Sequence, residues 1–171
     1  MNIYFDGFVL EGKVLDAGAK APTSSYYKYM DTSNAEIVFT DLIPRSDEVL
    51  QMDFEKPFEI ESGQFDSVIA MNILEHVYNH NSFIREIHRI LKPGGSLIGY
   101  VPFLIPFHAD PNDYFRYTHS ALEKLFSDNS FSNIEIDIVG QGGLLCCSDL
   151  LFTYFSNTNR IALKLRPLFW T

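Results

Sequence analysis

The chain has 171 residues, 46% of them hydrophobic and 20% charged, a balance that suits one globular domain with a buried core and excludes a disordered segment. Its formal net charge of −9 comes without the basic patch that phosphate neutralisation requires, so nucleic acid is not an expected partner. The N-terminal residues lack the basic and apolar regions of a signal peptide, and no stretch reaches the roughly 18–20 apolar residues of a membrane span, so a cytoplasmic location is expected. Cys146 and Cys147 are neighbours without zinc-ligand spacing, which reads as a reduced, buried pair.

In chain order, Lys13 to Ala17 is a short apolar strand running into Asp16-Ala17-Gly18. Tyr26 to Met30 predicts a brief helix, with Thr23 or Ser24 as its cap. The β-branched and aromatic run Glu36 to Thr40 is a strand that ends at Asp41. Phe65 to Met71 is almost continuously apolar, the pattern of a strand buried on both faces of a parallel sheet. From Ser82, read as an N-cap, Phe83, Ile84, Ile87, Ile90 and Leu91 recur at helical spacing until Lys92-Pro93-Gly94-Gly95 stops the helix. Ser96 to Val101 forms the next strand, Ser120 to Phe126 a short helix, and Ile134 to Val139 alternates like a strand with one exposed face. The remainder, 142–171, reads as an apolar helical segment.

Strands alternating with helices predict an α/β fold, a doubly wound, mostly parallel sheet in a single domain over 1–171. Ligands of such sheets bind beyond the carboxyl ends of the strands, where this chain has Asp16, Asp41, Asn72 and Pro102.

Four blocks share that order: Val14-Leu15-Asp16-Ala17-Gly18, Thr40-Asp41, Phe65 to Val68 with Asn72-Ile73-Leu74-Glu75-His76-Val77, and Leu91 to Gly95. Together they resemble the motifs of the class I S-adenosylmethionine (SAM)-dependent methyltransferases, a Rossmann-like fold. A further block, Pro106 to Thr118, is similar to a bacterial subgroup often associated with surface-glycan or lipid pathways. The resemblance implies a SAM site in which Asp41 receives the ribose hydroxyls, Asp53 meets the adenine amino group beside Phe54, and Ile43 packs on the adenine. In it Gly18, within the motif that opens with Asp16, lets the backbone approach the methionyl part, and Asn72 faces the sulfonium.

Two departures accompany the likeness. The family's later glycines are replaced by Lys20 and Pro22, so that Lys20 either pairs with the methionine carboxylate or fills the pocket. No seventh strand is visible after Val139, so the sheet is expected to lack its final antiparallel strand, and the open edge and aromatic tail favour homo-oligomer formation.

Methyl transfer to a hydroxyl or amine needs positioning and a base. His108, beside Asp110, Asp113 and Arg116, is the expected base, with His76 near the sulfonium and Arg116 as a holder of an anionic acceptor. The alternatives are a packing role for His76 and a self-contained loop salt bridge for the others. His76 and His80 with Glu75 would suit a metal only on a continuous helix, and Asn79-His80-Asn81 reads as a loop, so no metal is expected. The resulting expectation is a SAM-dependent methyltransferase for a small-molecule or glycan-like acceptor; its rival is a non-catalytic partner subunit that keeps the fold.

Overall fold

The computed structural model describes residues 7–139. Five strands, β1 (Phe8–Ala17), β2 (Met30–Asp41), β3 (Val49–Gln51), β4 (Phe65–Met71) and β5 (Leu91–Tyr100), form one sheet in the order β3-β2-β1-β4-β5. Every pairing is parallel, as expected of a doubly wound sheet.

Side chains alternate across this sheet and build two cores. Leu15 and Ala17 of β1 join Val68 of β4 and the apolar face of helix α1 (His80–Ile90), where Phe83, Ile84, Ile87 and Ile90 are all buried. Val14 of β1 faces the other way, towards Tyr26, Met30, Ile69 and Met71. A second helix, α2 (His119–Asp128), adds Leu122 and Leu125 to the first core and is capped by Thr118, whose hydroxyl accepts from the Ala121 amide at 3.2 Å.

Several boundaries differ from the sequence reading. Strands β1 and β2 begin earlier than their apolar runs, because Phe8 pairs with Met30 and Val9 with Asp31 beyond the core. A register shift between Val9 and Glu11 precedes Gly12, which has φ +71° and would drive a Cβ to 2.7 Å from the Asp66 carboxyl carbon. The 3-10 turn Ser25–Tyr29 stands where the brief helix was predicted. Helix α1 starts at His80, two residues before Ser82, because Glu55 from another loop accepts the Tyr78 and Asn79 amides at 2.6 and 3.0 Å. The short strand β3 went unpredicted, since three residues carry no periodicity.

Among the described residues, 134–139 lie in no strand, and Ile138 is 91% exposed. Alternation marks a face but supplies no ladder partner, so the predicted sixth strand is not formed there. The segment 142–171, with both cysteines and the proposed self-association surface, lies outside the described residues.

Candidate active site

The carboxyl ends of β1, β2 and β4 are laced together by backbone bonds. Gly18 and Ala19 donate to the Thr40 carbonyl at 2.8 and 3.0 Å, Met52 to that of Asp41 at 2.9 Å, and Asn72 to that of Tyr100 at 2.8 Å. This lacing shapes a cleft of about 70 Å³ lined by Gly18, Lys20, Asp41, Ile43, Asp53, Phe54, Asn72 and His76, among others. Residues from four separate stretches of sequence thus meet on one edge of the sheet.

Gly18 has φ +91°, and a Cβ there would lie 3.0 Å from Ile73 Cδ1, so both torsion and space favour glycine. Asp41 is buried, and its Oδ1 accepts the Ile43 amide at 2.7 Å. Asp53 accepts the Glu55 amide at 3.1 Å and pairs with Lys56 at 2.8 Å, which holds its carboxyl below the usual range. Phe54 is locked edge-on between Phe58 and Phe83, at centroid distances of 6.0 and 5.3 Å. Asn72 adopts φ +52° at the tip of β4, and Ile43 is 57% exposed on the cleft wall.

Of the predicted cofactor-binding residues Asp16 alone does not line the cleft, and of the predicted catalytic residues His76 does while His108 and Arg116 do not. Alternation turns Asp16 to the opposite layer, where Tyr26 and Tyr27 each donate a hydroxyl to its Oδ2 at 2.5 Å. Burial pushes its pKa up to about 6, against the pull of the two hydroxyls. Lys20 reaches Asp110, from the loop after β5, and the resulting ion pair links two walls of the cleft.

That loop also brings His108 to the turn after β4. His108 Nε2 lies 3.6 Å and His76 Nε2 3.7 Å from Glu75 Oε1, and the two rings meet edge to face at 5.0 Å. Glu75 is fully buried; neither carboxylate oxygen accepts a hydrogen bond, and burial pushes its pKa up. Arg116 grips Asp113 through both carboxylate oxygens, at 2.5 and 2.8 Å, and holds its pKa down at about 2. The guanidinium expected to hold an acceptor anion therefore braces its own loop. His80 stands apart from the cluster, packed against Phe115 and Tyr117 at 4.8 and 5.8 Å. Glu75, Asp110 and Glu55 were missed as site residues: each acts through a distant partner, which spacing along a chain does not reveal.

The methyltransferase domain family matches residues 11–99, just over half of the 171 residues and all five strands but the first three residues of β1 and the last of β5. The chain belongs to this family. A ubiquinone biosynthesis O-methyltransferase from Pseudomonas aeruginosa is 39% identical over 64 residues, covering 37% of this chain and 25% of that protein. The chain thus matches about a quarter of the length of that relative. A solved methyltransferase from Bacillus halodurans, 18% identical, superposes with a TM-score of 0.59 over 78% of this chain and 68% of its own. A SAM-dependent methyltransferase from Mesorhizobium loti, 12% identical, gives 0.59 over 90% and 88%. At such identities the likeness establishes the shared fold.

The cofactor of methyltransferases of this family is SAM. The donor set of the cleft fits it chemically: carboxylates for hydroxyl and amino hydrogens, and a glycine with no room for a side chain. Its volume falls short of the several hundred Å³ a nucleoside-sized ligand fills, roughly 300 Å³ or more. Both members of the Lys20–Asp110 pair line the cleft.

Proposed function

We propose that this chain is a SAM-dependent methyltransferase acting on a hydroxyl of a small-molecule or glycan-like acceptor. The observation that carries the reading is the cleft itself, which gathers Gly18, Asp41, Asp53, Phe54 and Asn72 at the ligand-binding edge of a methyltransferase-family sheet. SAM supplies an activated methyl group, so the protein has to orient two partners and ease the loss of the acceptor proton. Asp41 is the ribose acceptor, and Asp53 and Phe54 hold the adenine end. Lys20 serves the methionine carboxylate once it parts from Asp110. His76 belongs both to the cleft and to the Glu75–His76–His108 cluster, which supports proton removal beside the cofactor. The ubiquinone O-methyltransferase relative supports an oxygen acceptor.

Calorimetry with S-adenosylhomocysteine on the purified chain tests the proposal. Binding is expected, and Asp41→Ala should weaken it at least tenfold, because a buried hydroxyl pair loses its acceptor. Normal binding by Asp41→Ala would refute the placement of the ribose.

The Lys20–Asp110 pair in so narrow a cleft favours a second reading, a partner subunit that retains the fold without the cofactor. Asp110→Ala removes the bridge. If neither the parent chain nor this variant binds S-adenosylhomocysteine at millimolar concentration, the second reading replaces the first.

A further inference from the structure

Glu75 carries an unresolved electrostatic problem. Its carboxylate is fully buried, and neither oxygen accepts a hydrogen bond. Burying such a group without a partner costs several kcal/mol, on the order of 2 or more, unless a cation compensates it. Two imidazole nitrogens face it, His76 Nε2 at 3.7 Å and His108 Nε2 at 3.6 Å. Both distances are too long for a hydrogen bond, so a shared proton does not bridge them.

The tautomer of His76 sharpens the point. Its Nδ1 donates to the Asn112 carbonyl at 2.5 Å, which leaves Nε2 as a bare lone pair in the neutral ring. A bare nitrogen thus faces a bare carboxylate. On His108 the outward nitrogen, Nδ1, lies 3.5 Å from the Asp113 carboxylate, which is itself clamped by Arg116. His76 is thus held from behind by the Asn112 carbonyl, the orientation of a metal-binding histidine, while His108 is held at Nδ1 by the Asp113–Arg116 pair, with the guanidinium nitrogen 3.4 Å away, and both Nε2 atoms face Glu75.

We propose that Glu75, His76 and His108 form a binding site for one divalent transition-metal ion of the zinc class. Their three ligand atoms all lie within 4.8 Å of one another. Zinc bonds of about 2.0–2.2 Å at right-angled to tetrahedral geometry set ligands about 3.0–3.4 Å apart, so the carboxylate–imidazole separations of 3.6 and 3.7 Å close by a few tenths of an ångström and the widest pair by up to about 1.4 Å. The donor type, two imidazoles and one carboxylate, is that of three-ligand sites with an open position. His108, with a side chain 36% exposed, supplies the accessible side. Charge agrees as well: Arg116 and Asp113 cancel, leaving Glu75 against the dication.

The frame is built for precision. The Glu75 carbonyl accepts the Tyr114 and Phe115 amides at 2.8 and 3.3 Å, and the His108 amide donates to Asp113 at 2.8 Å. These bonds lock the turn after β4 to the loop after β5 and fix the ligands relative to one another. Because His76 also lines the cleft, the open position lies beside the methyl donor site. Resting on the methyltransferase reading, the ion takes the acceptor hydroxyl oxygen and eases loss of its proton to solvent. That oxygen then bonds to the methyl carbon as the carbon–sulfur bond breaks, with its electron pair going to sulfur. The histidines then act as ligands rather than bases.

The test uses the full chain, stripped with chelator and titrated with Co²⁺ by visible absorption and with Zn²⁺ by calorimetry. One Co²⁺ per chain, with the intensified bands of low-coordinate nitrogen and oxygen ligation, is expected. His108→Ala and Glu75→Gln should each weaken both metals at least tenfold, and Asp113→Asn by about tenfold. His88→Ala, and Cys146→Ser combined with Cys147→Ser, should leave affinity unchanged. Should Glu75→Gln fail to fold, His108→Ala decides alone, since that ring sits on an accessible loop. Dissociation constants above about 1 mM, or tight binding that survives His108→Ala, would overturn the site. S-adenosylhomocysteine binding by the metal-free chain, measured in parallel, separates the two claims: cofactor without metal removes only the metal site, and metal without cofactor removes only the methyltransferase reading.

Discussion

Asp16 shows how much one side chain's direction matters. It opens the sequence block that ends at Gly18, yet strand alternation sends the Asp16 carboxylate with Val14 to the layer of the Tyr26 and Tyr27 hydroxyls, while Gly18, past the end of β1 and at φ +91°, lines the cleft. Its Oδ1 is buried without a partner, and burial lifts the pKa from 3.8 to about 6. A carboxyl whose folded pKa is raised binds its proton more tightly in the native state. The stability it contributes is fully present below about pH 4 and is lost as pH rises through 6. Asp16→Asn keeps an oxygen acceptor and removes the titration. Its melting temperature relative to the parent should therefore rise between pH 4.5 and 7.5, by an amount corresponding to about 1–3 kcal/mol. A gap that stays constant across that range would show that Asp16 ionises alike in folded and unfolded chains.

At the scale of elements, α1 does more than cover the sheet. Glu86 accepts the Phe58 amide at 2.8 Å and pairs with Arg89 at 2.7 Å, while Arg89 donates to the carbonyls of Ile60 and Phe58 at 2.7 and 3.1 Å. The helix thereby fastens the irregular segment between β3 and β4, whose first residues include Asp53 and Phe54. In return Glu55 caps the start of α1. Glu86→Ala leaves the Phe58 amide without its acceptor and the Arg89 guanidinium without its carboxylate, and should cost about 1–2 kcal/mol, given the partial exposure of the pair. Urea denaturation measures that loss, and calorimetry should show a parallel weakening of S-adenosylhomocysteine. A loss of stability with unaltered ligand affinity would mean that the segment holds its shape without α1.

Among the described residues, carboxylates with depressed pKa values outnumber the raised ones. Asp113 is held at about 2 by Arg116, and Glu86 is lowered by Arg89. Groups of this kind stabilise the fold above their unfolded pKa, near 4, and lose that contribution as pH falls through the folded value. Stability should therefore decline steeply between about pH 4 and pH 2, opposite in sign to the Asp16 effect at higher pH. Asp113→Asn should flatten the acid limb measured by chemical denaturation, and an unchanged limb would assign the acid loss to other groups.

The chain alone carried the fold. Continuous apolar runs such as Phe65 to Met71, helical spacing from Phe83 to Ile90, and the ordered blocks around Gly18, Asp41 and Asn72 are local signals, and each survives in the structure, whereas Leu91, read with the helix, opens β5 instead. Those same blocks named most of the cleft, because glycine at a left-handed turn and acids at strand ends are legible one at a time. What only the tertiary structure decided are the contacts between distant stretches. Lys20 meets Asp110, Glu55 reaches the start of α1, and His108 rather than His80 joins Glu75 and His76. His76 and His80 are four residues apart, but the turn ends before α1 begins, so helical geometry never brings them together. The loop after β5 closes that gap from 32 residues away, by backbone bonds that no periodicity announces.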